Sequence, residues 1–201
     1  MESKQNKQNL ILGSSSPSRI ELLKRISQPF EIIKPDIEEP SSGFSSAREQ
    51  VAFIAWIKGH EVSLQVKQGI IIAADTIGWI DGKPLLKPLD RNDAKDMISR
   101  MSGRDHELWT GVVLWHQPTN IQLCWQEKSI VSFKKVSPAE IEQYLETRSW
   151  KNHSGSYAIE EENDPWVKIS QGSITNVIGL PLESLLFNLE KLKKMLTIDH
   201  N

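Results

Sequence analysis

The sequence predicts an α/β fold built on a mixed sheet. Strand-like and helix-like stretches alternate along the chain. The β-branched run at 69–74 is apolar throughout, as in a central strand covered on both faces. Two later stretches, 108–115 and 121–136, alternate in polarity as an antiparallel pair does. No internal repeat or low-complexity linker interrupts the pattern, and 201 residues suffice for one full-sized domain or two small lobes sharing a core. The expectation is a single domain over 10–201. Residues 1–9 are polar with no apolar run, and read as a frayed tail rather than a signal peptide.

Leu10-Ile11-Leu12-Gly13 reads as a short buried strand, and Ser14-Ser15-Ser16-Pro17 turns it into a helix whose inner face holds Leu22, Leu23 and Ile26. Residues 30–33 form a second strand, followed by the acidic loop Pro35-Asp36-Ile37-Glu38-Glu39-Pro40. Ser46 and Glu49 have capping-box spacing. Val51, Ile54, Ala55, Lys58 and Val62 follow at helical intervals, which sets Lys58 at the edge of an apolar face. The central strand is expected to end in Asp75-Thr76, where a carboxylate closing a buried strand faces a cleft. A hairpin over 79–83 has Asp81-Gly82 in its turn. Asp90 caps a helix with Ala94, Met97, Ile98 and Met101 on one face and Gly103 just past its end. Ser137 and Glu140 make a second capping box, with Pro138 at the first helical position. The weakly patterned stretch 152–179 holds short strands and a binding loop. The last helix starts at Pro181 and carries Leu182, Leu185, Leu186, Leu189, Leu192 and Leu196 on its buried stripe.

Twenty-four Lys and Arg against twenty-six Asp and Glu leave a net charge of -2. No overall field therefore draws the chain to DNA, RNA or an anionic membrane, and any polyanion must meet a local basic site. The apolar run 70–74 is too short to span a bilayer. One cysteine, Cys124, can close neither an intramolecular disulfide nor a cysteine-rich metal site, and fits a reducing, cytoplasmic setting. Seven tryptophans could serve as core bulk, subunit interface or base-stacking platforms.

Between strand and helix, the turn Ser14-Ser15-Ser16-Pro17-Ser18-Arg19 offers free backbone N–H groups, the positive end of a helix dipole, hydroxyls and a guanidinium, all suited to an anion. It is neither a Walker loop nor a Gly-x-Gly-x-x-Gly fingerprint, and by spacing alone an ordinary capped helix with a surface arginine is the commoner explanation. Glu38, Glu39 and Asp75 are candidate ligands for a hard metal ion. Glu38 and Glu39 in a loop also read as solvated charges, whereas Asp75 after an apolar strand does not. Lys58 and Lys87 gain meaning only if they converge with Arg19 and the carboxylates. His106 and His153 lack metal-ligand spacing and read as structural.

Taken together, these segments resemble the Maf proteins, nucleoside triphosphate pyrophosphatases first associated with septum formation. The resemblance runs nearly end to end. It covers Leu10-Ile11-Leu12-Gly13-Ser14-Ser15-Ser16-Pro17 with Arg19, the Asp36-Ile37-Glu38-Glu39 loop, Lys58 in its helix, Ala74-Asp75-Thr76 and Lys87-Pro88. Further on it covers Met101-Ser102-Gly103-Arg104 with His106, Thr110-Gly111-Val112, Gly155-Ser156-Tyr157 and Val177-Ile178-Gly179-Leu180-Pro181-Leu182.

The resemblance implies a two-lobed fold around a central cleft, similar to the inosine triphosphatase architecture, commonly a homodimer and dependent on Mg²⁺ or Mn²⁺. The implied reaction is house-cleaning hydrolysis of a nucleoside triphosphate to monophosphate and diphosphate. Carried over residue by residue, Ser14 and Arg19 correspond to the phosphate-binding motif and Glu39 to a metal-side carboxylate. Lys58 and Lys87 correspond to the two site lysines, and Asp75 to the proton acceptor, beside the same metal. Attack on the α-phosphorus needs an activated water, charge neutralisation along the triphosphate and a stabilised leaving group, which these residue types supply.

Substrate choice rests on Ser18, Thr76 and Glu160. The pyrimidine-acting branch has Arg where this chain has Ser18 and Gln where it has Glu160, while a Glu is similar to the branch acting on 7-methyl-GTP and can accept from a guanine's N1–H and amino group. Thr76 resembles the pyrimidine branch. The expectation is a purine or 7-methylguanosine triphosphate, with dTTP or UTP as the alternative. A nucleotide-binding division regulator without turnover, which needs no proton acceptor, and a nucleotidyltransferase, which needs a second substrate besides water, are the rival classes.

Overall fold

The computed structural model describes residues 9–40, 42–151, 154–157 and 165–198. In chain order these form β1 (Leu10–Leu12), α1 (Pro17–Lys24), β2 (Phe30–Ile32), α2 (Ala47–Ser63), β3 (Gly69–Ile80), β4 (Lys83–Leu85), α3 (Arg91–Met101), β5 (Asp105–Gln117), β6 (Gln122–Phe133) and α4 (Pro138–Glu146). A single 3₁₀ turn at Ser154–Ser156, β7 (Val167–Gln171), α5 (Ile174–Ile178) and α6 (Leu182–Ile198) follow. Among the described residues the strands make one mixed sheet in the order β2-β1-β3-β5-β6-β7, with β4 beside β3. Pairing is parallel for β2-β1-β3 and antiparallel elsewhere. The α/β expectation is borne out.

The helices begin where a side-chain oxygen meets an unpaired N–H at the first turn. Ser16, Ser46, Asp90 and Ser137 accept from the backbone of Arg19, Glu49, Asp93 and Glu140, and the Ser137–Glu140 box is reciprocal. At α2 the reciprocal half is redirected, because the Glu49 carboxylate accepts from the N–H and hydroxyl of Ser45 instead of from Ser46.

Side-chain alternation along β3 divides the interior. Ile70, Ile72 and Ala74 pack with Leu22 and Leu23 of α1 and the leucines of α6. Ile71 faces the other way, onto Ala55 and Val62 of α2. Farther along the same long strands, Ile80, Leu85, Val131 and Phe133 join α3 and α4 in a second core. Two cores strung on shared strands make the two lobes.

A gap in the sheet lies between them. On one edge of β3, β1 pairs only with Ile70, Ile71 and Ile72, and β4 pairs only with Gly78, Trp79 and Ile80. Residues 73–77 have a strand neighbour on the β5 side alone. Asp75 and Thr76 lie in that gap.

The structure corrects several expectations. Asp75 does not end its strand: β3 continues to Ile80 because β5 pairs with it from Gly69 through Trp79. β6 stops at Phe133 instead of 136. Leu186 is 47% exposed, outside the buried stripe of α6. Asn9, at the boundary of the tail, donates its side-chain amide to Glu31 and its carbonyl accepts from Ile70. Residues 1–8, His153 and Glu160 lie outside the described residues. Among those described, no helix is long and apolar enough to cross a membrane.

Candidate active site

The gap in the sheet opens into a cleft of about 1280 Å³ between the lobes. Ser14, Ser18, Arg19, Glu39, Lys58, Asp75, Thr76 and Lys87, eight positions scattered through the first half of the chain, all line it. Glu160, the ninth predicted residue, lies outside the described residues.

Alternation on β3 sends two neighbours to opposite faces. Asp75 points to the α2 side, where Lys58 Nζ lies 2.8 Å from Asp75 Oδ1 and 3.0 Å from Glu39 Oε1. Lys58 is 7% exposed and Asp75 8%, so this pair is removed from bulk water, while Glu39 sits on the open side. A lysine predicted at the edge of the apolar face of α2 is thus drawn inward by two carboxylates, which offset the cost of burying its charge. Asp75 Oδ2 has no protein partner among the described residues.

Thr76 points to the α1 side. Its hydroxyl accepts from Arg19 Nη2 at 3.0 Å and lies 3.0 Å from the Thr110 hydroxyl, which itself donates to the Asn176 carbonyl. Arg19 Nε donates to the Gly179 carbonyl at 2.8 Å, and Nη1 makes a longer 3.5 Å contact with Ser14 Oγ. The guanidinium is therefore clamped from three elements before any ligand arrives. Gly179 has φ 122, open to glycine and strained for other residues, and a Cβ there would press on Thr76 Oγ1. Burial lowers the Arg19 pKa from its usual value, and the charges of Asp75 and Glu39 oppose that fall; the group stays cationic.

Ser14 Oγ also accepts from the N–H of Ser16, fixing the β1–α1 turn, and Ser18 is exposed at its rim. Lys87 is exposed in the segment after β4, where the Gly155 N–H donates to the Leu86 carbonyl and fastens the residue just before it. Glu38 is exposed and Cys124 is a free, exposed thiol. His106 is buried, with Nε2 bonded to the Tyr157 hydroxyl, in keeping with a structural role.

Sequence reasoning missed Gly179 and Thr110 as the groups that hold Arg19 and Thr76, since backbone carbonyls and strand threonines carry no pattern. It also missed Gln50, a buried side chain of α2 that lines the cleft; its position eight residues before Lys58, on the same helical face, is the signal that was there to read.

The chain is similar to known proteins over most of its length. A protein of Ruminiclostridium cellulolyticum named dTTP/UTP pyrophosphatase is 38% identical over 187 residues, 92% of this chain and 97% of that one. Proteins of the same name from Carboxydothermus hydrogenoformans and Caldicellulosiruptor bescii are 36% and 38% identical, over 88% and 91% of this chain and 94% of each relative. Among solved structures, the Staphylococcus aureus Ham1 protein is similar with a TM-score of 0.47 at 12% identity, covering 63% of this chain and 72% of that one. Residues 9–192 match the family described as Maf-like protein, and the chain belongs to it.

Proposed function

We propose that this chain hydrolyses nucleoside triphosphates to monophosphate and diphosphate, with the pyrimidine nucleotides dTTP and UTP preferred. The observation that carries the reading is the Lys58 ammonium bridging Asp75 and Glu39 in the cleft that also holds Arg19 and Lys87. Three cations can offset part of a triphosphate's charge, and a buried carboxylate with one oxygen free can take a proton.

In this reading Arg19, with the Ser14 hydroxyl and the Ser18 N–H at the start of α1, binds the outer phosphates, and Lys58 and Lys87 approach the oxygens that gain charge in the transition state. Asp75 Oδ2 accepts the proton of the attacking water. The new P–O bond forms at the α-phosphorus as the bond to the α–β bridging oxygen breaks, and diphosphate leaves with the electron pair. Ser18 and Thr76 flank the phosphate-binding turn, Thr76 by holding Arg19.

A divalent cation fits beside these groups. Glu39 gives one oxygen to Lys58 and keeps the other without a partner among the described residues, with Asp75 beside it across the same ammonium; no group of three or more His, Cys, Asp or Glu among those residues is placed to hold a metal ion. Two carboxylates short of a full cage suit Mg²⁺ or Mn²⁺ shared with substrate phosphates. Such an ion, when bound, supplies charge neutralisation and lowers the pKa of its water.

The shared name of the relatives supports dTTP and UTP over the purine or 7-methylguanosine triphosphate expected from Ser18 and Glu160. Thr76, the position that resembles the pyrimidine branch, is a cleft residue. The same reading carries residues 10–201 as one domain, a cytosolic setting and a homodimer, the last open to sedimentation analysis. The experiment is diphosphate release from UTP, dTTP, CTP, GTP and 7-methyl-GTP with Mg²⁺ or Mn²⁺. UTP and dTTP should turn over fastest. Preference for the guanine nucleotides overturns the pyrimidine assignment, and release of orthophosphate overturns the reaction.

A further inference from the structure

We infer that Gln50 binds the nucleobase, pairing its carboxamide with the imide edge of uracil or thymine. The inference rests on the pyrimidine reading above and deepens it. Gln50 is 5% exposed and lines the cleft, yet its side chain makes no hydrogen bond within the described protein. Its polar atoms are not sealed in the interior, and the carboxamide offers the cleft both a donor and an acceptor for a ligand to satisfy.

Its placement selects the base over the phosphates. Gln50, Ile54 and Lys58 recur at intervals of four on α2 and all line the cleft, so they form one stripe beside the core-facing residues of the helix. Gln50 stands two turns, about 12 Å of helix axis, before Lys58. That end of α2 covers Ile77, beyond Asp75 and away from the anion-binding turn at Ser14. With the α-phosphate at Lys58 and Asp75 and the tail toward Arg19, the nucleoside extends toward Gln50. Ile54, between them, gives the sugar an apolar surface. Uracil and thymine share an N3–H flanked by carbonyls: the Gln50 oxygen accepts from N3–H while its amino group donates to one carbonyl. A ribose contact is the weaker assignment, because the relatives' name joins a deoxynucleotide to a ribonucleotide.

The test compares wild-type protein with Gln50→Leu and Gln50→Glu, using UTP as substrate and inorganic triphosphate as a competing tail without a nucleoside. Melting curves establish that each variant folds, and Gln50→Glu, of nearly identical shape, decides the matter should Gln50→Leu not fold. The expected result is a rise in KM for UTP of about ten- to a hundredfold, the scale of a lost paired base contact, with a far smaller fall in kcat and unchanged inhibition by triphosphate. An unmoved KM in both variants overturns the inference, as does triphosphate inhibition that weakens in step with UTP. Either result leaves the pyrophosphatase reading standing if wild-type protein still turns over UTP. Wild-type protein that releases diphosphate from no nucleotide overturns both.

Discussion

Asp75 is distinguished at the scale of single residues by having one oxygen committed and one free. Oδ1 is occupied by Lys58, which holds the carboxylate's orientation, and Oδ2 meets the cleft. Asp75→Asn keeps the shape and an oxygen for Lys58 to donate to, and removes the basicity. Its kcat should fall by about 10²–10⁴-fold with nucleotide affinity retained, as measured by turnover beside equilibrium binding; near-normal turnover would contradict the assignment. His106 makes a separate prediction about stability. Burial pushes its pKa down from 6.5 to about 4, against a smaller upward pull from Asp105. The unfolded chain protonates this ring at higher pH than the folded protein does. Its contribution to stability is therefore complete above about pH 6.5 and declines as pH falls toward 4, by about 3 kcal/mol in all. Denaturant unfolding across that window should show the decline, and His106→Gln should flatten it. A slope unchanged in the variant would assign the acid sensitivity to other groups.

Elements, more than residues, explain what could be read from the chain beforehand. Starts of helices were legible because a cap is a local event: the serines at 16, 46 and 137 and Asp90 carry their own explanation in the next three residues. The run of β3 beyond Asp75 was not, since two polar residues after an apolar run look like a strand end, and only pairing with the distant β5 carries the strand onward. The outward turn of Leu186 was hidden for the same reason, because a leucine at the margin of a helical stripe is placed by what packs against the helix. A close approach of α2 to the sheet involves Gly111, paired with Asp75 across the sheet, where an added Cβ would overlap the Val51 carbonyl of α2. Gly111→Ala should cost about 1–3 kcal/mol by overpacking, and should lower kcat/KM by shifting the helix that carries Lys58. At Gly59 an added Cβ meets Val113 and Ala73 at 3.4 and 3.5 Å, ordinary contacts, and helix propensity favours Ala. Gly59→Ala should thus be neutral or stabilising. Thermal unfolding of the two variants side by side checks the contrast, and equal losses would refute this account of how α2 sits on the sheet.

Across the whole molecule, a chain of net charge -2 concentrates cations where two lobes meet. Neither the composition nor any one segment discloses that concentration; it arises because β1 and β4 each cover only part of one edge of β3, leaving the middle of the strand open to a cleft lined by loops and helices from both sides. The candidate residues were legible through the resemblance to a family, while their convergence required the fold. What remained hidden was the clamp on Arg19, which depends on a backbone carbonyl that no spacing reports, and the burial of Gln50, whose spacing from Lys58 gives its helical face and nothing more. The central claim is that this cleft directs water to the α-phosphorus. Hydrolysis of UTP in water labelled with heavy oxygen, followed by mass analysis of both products, tests it most directly. The account predicts the label in the nucleoside monophosphate and none in the diphosphate; label in the diphosphate, or in free orthophosphate, would contradict it.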